Sequence, residues 1–390
     1  MEKKKLLVTA STFPRWNKDT EPRFVLDLCR FLEDEYDVTV LVPAAPGALS
    51  EEELEGLHVK RYHYFPIHKW ETLCYPGAIV PRIKEKKVRV LLVPWLFAAL
   101  WVNMLKMRRH FDLIHAHWLI PQGIVQSCFK KPYVVTGHGG DVTSLNNGIM
   151  KTLKAKCLKR ASAVVAVSEH LRAVEKEIAS DVEPYVISMG VDTGKFGTEY
   201  KSDNFFGQND RRVVLFAGRL AEKKGVRYLI EAMAKVENSL LYIVGDGPLR
   251  SELEELASRG DAKIVFAGSK SHDELRKIYA SADVFVAPSV TAADGDQEGL
   301  PTTILEAMAS GIPVVASNHS GISLLIEDGV NGLLCEEKAV EQIASNLNRV
   351  LSDDILRRTL IDNGLKTAAE YDYRVLAGKY KEIYKKILND

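Results

Sequence analysis

The sequence predicts an α/β fold with two doubly wound, Rossmann-like domains. Short runs of Val, Ile and Leu alternate with helical segments along most of the chain, as in parallel sheets covered on both faces. This series starts twice, on either side of a polar, glycine-bearing stretch near residues 192–211. The chain has 390 residues, more than one hydrophobic core usually supports. We therefore expect domains at residues 1–200 and 201–370, facing each other across a cleft.

The strands are predicted from their β-branched, apolar composition. In the first half they cover Leu6–Ala10, Val38–Pro43, Val59–Phe65, Leu113–His117, Tyr133–Thr136 and Val164–Val167. In the second half they cover Val213–Ala217, Leu240–Val244, Ile264–Ala267, Val284–Ala287 and Pro313–Ala316. Helices are expected between most of them, including Phe24–Glu33, Asn147–Arg160 and the tail 371–390. Ligands of such sheets bind beyond the carboxyl ends of the strands, so the loops there are candidate sites.

Composition indicates an ordinary globular protein in a reducing compartment. Hydrophobic residues make up 46% and charged residues 27% of the chain, both near average. The five cysteines are scattered, without the spacing of a zinc site or a disulfide framework. The chain starts with a basic stretch that leads directly into a short apolar strand. We therefore expect no signal peptide and a cytoplasmic location.

Positive charge is concentrated in the first half, although the net charge is zero. Residues 60–160 contain 18 Lys or Arg and 4 Asp or Glu. Such asymmetry suggests membrane lipid, a polyprenyl phosphate or nucleic acid as partner, or a solvated basic face with no partner. Within this region, Val90–Val102 is an apolar run of 13 residues, whereas a membrane span needs about 20. We predict a buried or interfacial helix, and binding to an anionic membrane surface without spanning it.

The segment 298–317, E-G-L-P-T-T-I-L-E-A-M-A-S-G-I-P-V-V-A-S, is the strongest functional signal. Pro301 suits the first position of a helix, and Gly311 suits its end. The amides of Gly299 and Leu300 would then lie beside the positive end of that helix, where phosphate binds.

Two carboxylates accompany this predicted phosphate site. Glu298 lies in the loop, and Glu306 lies about two turns into the helix. Carboxylates repel an anion, so we expect each of them to bind a hydroxyl group instead. A nucleoside-diphosphate sugar supplies both phosphates and hydroxyls.

The E-x7-E pattern of Glu298 and Glu306 resembles the donor site of retaining GT-B glycosyltransferases of family 4, the glycogen-synthase-like group. The resemblance implies hexosyl transfer from a nucleotide sugar, with retention, to an acceptor hydroxyl of a lipid-linked compound or a cell-envelope glycan. It implies a front-face displacement in which the leaving phosphate helps to take the acceptor proton. It also implies that the C-terminal helix crosses back to the first domain, and that nucleic acid is not a partner.

A second motif follows the strand Val213–Ala217. The residues G-R-L-A-E-K-K-G, from Gly218 to Gly225, are similar to the G-R-x-x-x-x-K-G motif of the family. An arginine side chain can donate two parallel hydrogen bonds to phosphate oxygens, and a lysine side chain acts as a point charge. The resemblance assigns Arg219 and Lys224 to the donor pyrophosphate, while residue type alone leaves Lys223 as a competing candidate.

Two further turns follow the next strands. Gly245 begins a G-D-G-P turn, which by itself indicates only a tight turn. The resemblance places it on the nucleotide side, and it places Gly268 and Ser269 where backbone groups hold the base.

In the first half, His138 follows a predicted strand within the sequence G-H-G-G-D. Glycines allow close approach of a ligand to the backbone, although a lone histidine is often structural. The loop resembles the H-G-x-D loop of the family, which implies that His138 lies next to the transferred sugar. Gly139 and Asp141 would then support the loop.

The loop after the first predicted strand contains Arg15, Trp16 and Lys18. Many members of the family carry a glycine pair here, and this chain lacks it. These side chains suit an acceptor or a membrane surface.

Asp294 and Asp296 form a D-x-D sequence, the divalent-metal signature of the other large glycosyltransferase fold. Here Arg219, Lys224 and a helix N-terminus would already neutralise the leaving diphosphate. We therefore expect no cofactor and metal-independent activity.

Two alternative functions remain open. A non-hydrolysing sugar-nucleotide epimerase shares the two-domain shape, but it should lack the paired motifs found here. A nucleotide-sugar-binding protein without turnover would be expected to have lost a motif position, and every matched position is present. The residues do not identify the base, the sugar or the acceptor.

Overall fold

The computed structural model describes residues 3–17, 19, 21–77, 79–203, 205–207, 211–293, 295, 297, 299–319 and 321–389. The chain divides into two compact units, one of residues 1–188 with 373–390 and one of residues 189–372. Each unit contains a largely parallel sheet with helices. The predicted α/β fold with two Rossmann-like domains is confirmed.

The first unit is built on an eight-stranded sheet. Its strands are Lys4–Thr9 (β1), Tyr36–Pro43 (β2), Glu51–Leu54 (β3), Leu57–Tyr62 (β4), Leu113–His117 (β5), Tyr133–Gly137 (β6), Ala163–Ala166 (β7) and Tyr185–Val186 (β8). They lie in the order β3-β4-β2-β1-β5-β6-β7-β8. Only β3 and β4 pair antiparallel among these strands.

The helices of the first unit connect these strands. They are Phe24–Arg30 (α1), Ile79–Glu85 (α2), Val93–Met107 (α3), Ile124–Gln126 (α4), Gly140–Thr143 (α5), Gly148–Arg160 (α6) and Glu169–Ile178 (α7). Two 3-10 segments, Lys87–Leu92 and Arg108–His110, extend α3 at its ends. The helical stretch is therefore much longer than the apolar run Val90–Val102, because Met104, Leu105 and Met107 continue it.

The second unit has a six-stranded parallel sheet of order β11-β10-β9-β12-β13-β14. Its strands are Arg212–Ala217 (β9), Ser239–Val244 (β10), Lys263–Gly268 (β11), Val284–Ala287 (β12), Val314–Ser317 (β13) and Leu333–Cys335 (β14). Its helices are Val226–Met233 (α8), Arg250–Ser258 (α9), His272–Ser281 (α10), Thr302–Ala309 (α11), Ile322–Leu325 (α12), Val340–Ser352 (α13) and Asp354–Glu370 (α14). Ser271 and Glu274 form a capping box at the start of α10.

The last helix, Tyr373–Asn389 (α15), belongs to the first unit. Its buried residues recur at helical spacing. The Tyr384 hydroxyl hydrogen-bonds to Nδ1 of His115 at 2.7 Å. Lys381 forms an ion pair with Asp34 at 2.6 Å.

The boundary between the units falls at residues 188/189 and not at residue 200. Val191 N–H donates to the Tyr371 carbonyl at 3.0 Å. The ring of Phe196 packs against Tyr279 with centroids 5.8 Å apart. Because these apolar residues interrupt the polar stretch, the segment packs with the second unit.

Candidate functional site

The carboxyl edge of the second sheet has turns that only glycine fits. The backbone of Gly245, after β10, has φ +128°, and a Cβ there would lie 1.9 Å from the Gly218 carbonyl oxygen. Gly218 N–H donates to the Val244 carbonyl, and Leu220 N–H donates to the Asp246 carbonyl, both at 2.9 Å. The turns after β9 and β10 are therefore in direct contact.

The turn after β11 continues the same edge. Gly245 N–H donates to the carbonyl of Gly268 at 2.9 Å. Gly268 has φ +70°, and Ser269 beyond it is exposed. Three of the predicted donor-binding turns thus lie side by side along neighbouring strands.

The two predicted phosphate-binding cations belong to this edge. Arg219 is exposed, whereas Lys224 is half-buried. Cε of Lys224 lies 3.7 Å from the position of a Cβ on Gly218, so the side chain folds back over the strand end. Gly225, at φ +63°, approaches Pro288 so closely that a Cβ would lie 1.8 Å from the Pro288 carbonyl oxygen.

The loop after β12 is held against this cationic turn. Val290 N–H donates to the Lys223 carbonyl at 2.8 Å. Ala293 N–H donates to Oε1 of Glu222 at 3.0 Å. Lys223 Nζ donates to the Gln297 carbonyl at 3.4 Å. The structure therefore brings the G-R-x-x-x-x-K-G motif next to the loop that leads into E-G-L-P.

Three carboxylates of that loop, Asp294, Asp296 and Glu298, lie outside the described residues, as does Lys18. The predicted roles of these four residues remain predictions. Elsewhere in the chain, within the described ranges, no group of three His, Cys, Asp or Glu side chains is arranged to hold a metal ion.

Helix α11 begins one residue later than predicted. Pro301 is its N-cap, with φ −72° and ψ 113°, and Thr302 is the first helical residue. Pro301 thus precedes the helix and does not open it, because its extended ψ is incompatible with a helical turn. Gly299 is exposed and Leu300 is half-buried beside it. A Cβ on Gly321 would lie 2.8 Å from the Gly299 carbonyl oxygen, so the loop after β13 packs on this site.

Glu306 is half-buried on α11, beside Tyr279 of α10. Burial, together with the neighbouring Glu306 carboxylate, raises the pKa of Tyr279 well above its ordinary value. The Tyr279 ring is fully buried and packs against Phe285 with centroids 5.6 Å apart. The Tyr279 hydroxyl therefore lies near the Glu306 carboxylate, but it has no hydrogen-bond partner among the described residues. The sequence analysis did not identify it, because a tyrosine on an apolar helix face looks like ordinary core.

A second group missed from the sequence joins the loops after β12, β13 and β14. Nδ1 of His319 lies 2.5 Å from Oε1 of Glu337. Thr291 N–H donates to Oε2 of Glu337 at 2.8 Å. Burial raises the pKa of Glu337, but the hydrogen bonds from Thr291 and His319 outweigh it and leave that pKa below its ordinary value. Each residue follows a strand, which is the signal that would have identified this group.

In the first unit, Asp141 organises the loop after β6. Its Oδ1 accepts hydrogen bonds from the N–H groups of His138 and Gly139 at 3.1 and 2.9 Å. Its Oδ2 accepts one from Leu119 N–H at 2.8 Å. Burial raises the pKa of Asp141, and these hydrogen bonds partly offset the effect. Asp141 therefore joins the loops after β5 and β6.

The His138 side chain is held by aromatic neighbours. Its Nε2 shares a hydrogen bond with Nδ1 of His117 at 2.9 Å. The rings of Trp118 and Phe24 lie 4.8 and 5.0 Å away. Burial lowers the pKa of His138 to about 3, so the imidazole is neutral near pH 7. Its Nδ1 is buried and has no hydrogen-bond partner among the described residues.

Helix α15 supports this histidine pair from within the unit. Nδ1 of His115 shares a hydrogen bond with the Tyr384 hydroxyl at 2.7 Å, and its Nε2 lies 2.8 Å from Oγ1 of Thr136. The rings of His115 and His117 lie 4.1 Å apart. The sequence analysis singled out only His138, because the other two histidines lie inside a predicted strand.

Arg15 is engaged within its own loop. Its Nε and Nη2 donate to the Asp19 carboxylate at 2.8 and 2.7 Å. Its guanidinium lies 4.3 Å from the ring centroid of Trp16. Trp16 itself is exposed. This loop therefore presents an indole ring, while the guanidinium is bound to Asp19.

A buried carboxyl group lies behind the His138 loop. Glu175 of α7 is fully buried, and a Cβ on Gly137 would lie 2.4 Å from its Oε1. Neither carboxyl oxygen has a hydrogen-bond partner among the described residues. Burial, followed by the charge of Asp141, raises the pKa of Glu175 to about 9. The group is therefore protonated in the folded chain near pH 7.

Replacing Glu175 by Met should stabilise the protein, and more so at higher pH. A raised pKa in the folded state costs wild-type stability as pH rises from the unfolded pKa near 4.5 towards 9. The variant lacks this cost, so its advantage in the free energy of unfolding should grow by about 4 kcal/mol between pH 5 and pH 8. Urea unfolding at both pH values measures it. The control is Glu177→Met on the exposed side of α7. A gain independent of pH would contradict the raised pKa.

Comparison with known proteins relates both units to one group of enzymes. The family described as Glycosyl transferases group 1 matches residues 200–367, and Glycosyltransferase Family 4 matches residues 22–195. An uncharacterized glycosyltransferase of Methanocaldococcus jannaschii is 31% identical over 300 residues, covering 70% of this chain and 75% of that protein. A putative teichuronic acid biosynthesis glycosyltransferase of Bacillus subtilis is 30% identical over 275 residues, covering 67% of each chain.

Solved structures show the same architecture. Sucrose-phosphate synthase from Thermosynechococcus elongatus matches 99% of this chain and 100% of its own, with a TM-score of 0.78 and 21% identity. Anabaena HepE, in complex with UDP and glucose, matches 98% of this chain and 100% of its own, with a TM-score of 0.73 and 20% identity. At these identities the likeness concerns the fold, which is GT-B.

Proposed function

The chain belongs to the group 1 and family 4 glycosyltransferases, and on this premise we propose that it transfers a hexosyl group from a nucleoside-diphosphate sugar to an acceptor hydroxyl. The observation that carries the proposal is the contact between the Arg219–Lys224 turn and the loop that leads into Gly299. That contact brings the turn that carries the two cations next to the loop that precedes α11, which supports a phosphate site at this edge of the parallel sheet.

The chemistry of these groups suits the departure of a diphosphate. Arg219 and Lys224 oppose the negative charge that grows on the leaving group, and fixed charges are most effective where charge develops. Because these residues and α11 supply positive charge, the proposed reaction needs no divalent metal and no other cofactor. The backbone of Gly245, Gly268 and Ser269 is assigned to the nucleotide.

The carboxylates are assigned to hydroxyl groups. Glu306, which lies near Tyr279, is proposed to accept hydrogen bonds from the ribose hydroxyls. Glu298 is proposed to bind the transferred sugar. Neither is assigned the nucleophile or acid role that paired carboxylates have in glycosidases.

We propose retention at the anomeric carbon through front-face displacement. The leaving phosphate would help to accept the proton of the acceptor hydroxyl, and catalysis would depend on orientation and charge stabilisation. His138 is proposed to lie next to the transferred sugar, with an imidazole that is neutral near pH 7.

The acceptor is proposed to be a lipid-linked or glycan hydroxyl in the synthesis of a cell-envelope polysaccharide. The name of the Bacillus subtilis relative, in teichuronic acid biosynthesis, supports a glycan product. The positive charge between residues 60 and 160 supports an anionic or lipid-phosphate acceptor. We place the reaction in the cytoplasm, a reducing compartment that suits the five free cysteines.

A screen of the purified chain against UDP- and GDP-sugars tests the function. We expect one donor to raise the melting temperature and, with an acceptor, to release nucleoside diphosphate equally well with and without EDTA. The product should keep the anomeric configuration of the donor, as read by NMR coupling constants.

Other results would contradict specific parts of the proposal. Stabilisation by a donor with no release under any acceptor would indicate a binding protein. Conversion of the free donor into a stereoisomer would indicate an epimerase. Loss of activity in EDTA, or an inverted product, would overturn metal independence or retention.

A further inference from the structure

One helical stretch of the first unit is more apolar than its low buried fraction would lead us to expect. Within the described residues, Lys87–His110 is the one helix that is long and apolar enough to cross a membrane. Only 28% of its apolar window is buried. A core helix of the same composition would be mostly buried.

One face of this stretch is fixed in the first unit. Leu92, Leu96, Leu100 and Met104 recur at helical spacing, and all four are buried in the core cluster that also contains Ile114 of β5. Because this face packs against the protein core, the helix cannot be surrounded by lipid. The stretch therefore does not span a membrane.

The opposite face is also apolar and is exposed. Val88, Leu91, Trp95, Val102 and Leu105 are spaced three, four or seven residues apart and are all exposed. Leu91 is 67% exposed and Trp95 is 49% exposed. On a helix this spacing aligns the side chains in one stripe.

The stripe continues onto the loop after β4. Phe65 lies between Trp70 and Trp95, with ring centroids 5.9 and 5.4 Å away. Trp70 is 53% exposed. We call the surface formed by Trp70, Val88, Leu91, Trp95, Val102 and Leu105 the tryptophan face.

The chain segment that carries most of the tryptophan face is rich in positive charge. Residues 66–110 contain nine Lys or Arg against two Asp or Glu. Glu85 is paired with Arg82 and Arg89 at 2.8 and 2.9 Å. The other acid, Glu71, is buried and bound by His63 and by backbone N–H groups.

The lysines remain at the solvent boundary of this surface. Lys86, Lys87 and Lys106 are exposed at the two ends of the helical stretch. A second copy of the chain would bring two such basic surfaces together, and like charges repel.

We propose that the tryptophan face docks on an anionic lipid bilayer, with α3 lying in the plane of the interface. The apolar side chains enter the boundary between headgroups and acyl chains, as those of interfacial helices do. Tryptophan rings favour this depth, and lysine side chains extend to the headgroup phosphates. The sequence analysis allowed a buried or an interfacial helix, and the observed exposure favours the interfacial one. The inference does not depend on the proposed transfer reaction.

Vesicle co-sedimentation of the full chain tests the proposal. Wild type should bind vesicles of phosphatidylcholine with 30% phosphatidylglycerol at least about tenfold more tightly than pure phosphatidylcholine, and about 0.5 M salt should release it. The variant Leu91→Asp/Val102→Asp should lose at least about tenfold in affinity. Lys86→Gln/Lys87→Gln/Lys106→Gln should weaken binding and reduce its dependence on salt.

A matched control separates the tryptophan face from general surface apolarity. Ile149 and Ile355 are 81% and 80% exposed on α6 and α14. Ile149→Asp/Ile355→Asp adds the same charge, and it should bind vesicles like wild type. Circular dichroism and thermal unfolding should be unchanged in every variant, because the substituted side chains are exposed.

Three outcomes would overturn the proposal. Equal binding to both vesicle types would remove the role of charge. Unchanged binding by Leu91→Asp/Val102→Asp would remove the role of the tryptophan face. A wild-type dimer that Leu91→Asp/Val102→Asp separates, without vesicle binding by either protein, would show that the face joins two copies of the chain.

Discussion

Arg219→Ala and Lys224→Ala should each reduce the rate of nucleoside-diphosphate release about 10²–10³-fold. Each side chain is proposed to oppose charge that develops on the leaving diphosphate, so its loss raises the barrier more than it weakens substrate binding. Lys224 is half-buried against Gly218. This packing limits the motion of its side chain and keeps it folded over the end of the strand. Steady-state kinetics at saturating donor measure the effect as kcat.

Two neighbouring cations provide the controls for this prediction. Arg227 on α8 is 50% exposed and lies 3.8 Å from Glu231, so Arg227→Ala should leave kcat within about twofold because surface ion pairs contribute little. Lys223→Ala tests the competing candidate, whose Nζ contacts the Gln297 carbonyl. Near wild-type turnover in both Arg219→Ala and Lys224→Ala would remove the phosphate assignment. A larger loss in Lys223→Ala than in Lys224→Ala would transfer the role to Lys223.

The second sheet shows why so much of the fold was predictable. Strands β9, β10, β12 and β13 consist of short apolar runs, and their burial on both faces requires that composition. The turns after them carry glycines because neighbouring backbones approach too closely for a Cβ, as at Gly245 and Gly225. Composition and turn chemistry therefore predicted both the strands and the edge where the candidate site lies.

Strand β3 shows what composition cannot predict. Its sequence is E-E-E-L, which lacks an apolar face. The strand is stabilised by pairing with β4, where Lys60 lies opposite Glu51 and forms an ion pair at 3.1 Å. The hairpin turn uses Glu55 and Gly56, both at positive φ, whereas Asn or Asp usually precedes the glycine. Long-range pairing therefore specified this element, and no local pattern indicated it.

The candidate site also contains some residues that the sequence predicts and others that it does not. Arg219, Lys224 and Gly245 belong to motifs in which spacing along the chain carries the information. Tyr279 and His319 reach the site from separate elements, so only tertiary packing relates them to it. Their recognition required the contacts of Tyr279 with Glu306 and of His319 with Glu337.

Glu306→Ala should weaken binding of the free nucleoside diphosphate about 10–100-fold. A hydrogen bond to a charged group contributes about 1.5–3 kcal/mol, and about 1.4 kcal/mol corresponds to a factor of ten in affinity. Titration calorimetry of wild type and variant measures this difference. Glu298→Ala should instead reduce turnover, because its proposed contact is with the transferred sugar.

The affinity for the 2′-deoxy form of the same nucleotide tests whether Glu306 contacts the ribose 2′-hydroxyl. Wild type should bind the deoxy nucleotide more weakly than the normal one. Glu306→Ala should show a much smaller difference in affinity between the two nucleotides, because it lacks the carboxylate that is proposed to accept a hydrogen bond from the 2′-hydroxyl. Tyr279→Phe removes the hydroxyl near Glu306 and should change binding by about twofold or less, because that hydroxyl has no hydrogen-bond partner among the described residues. Equal affinity of wild type and Glu306→Ala for the normal nucleotide would contradict the ribose role. If Glu306→Ala prefers the normal nucleotide over the deoxy form as strongly as wild type does, another residue makes the ribose contact.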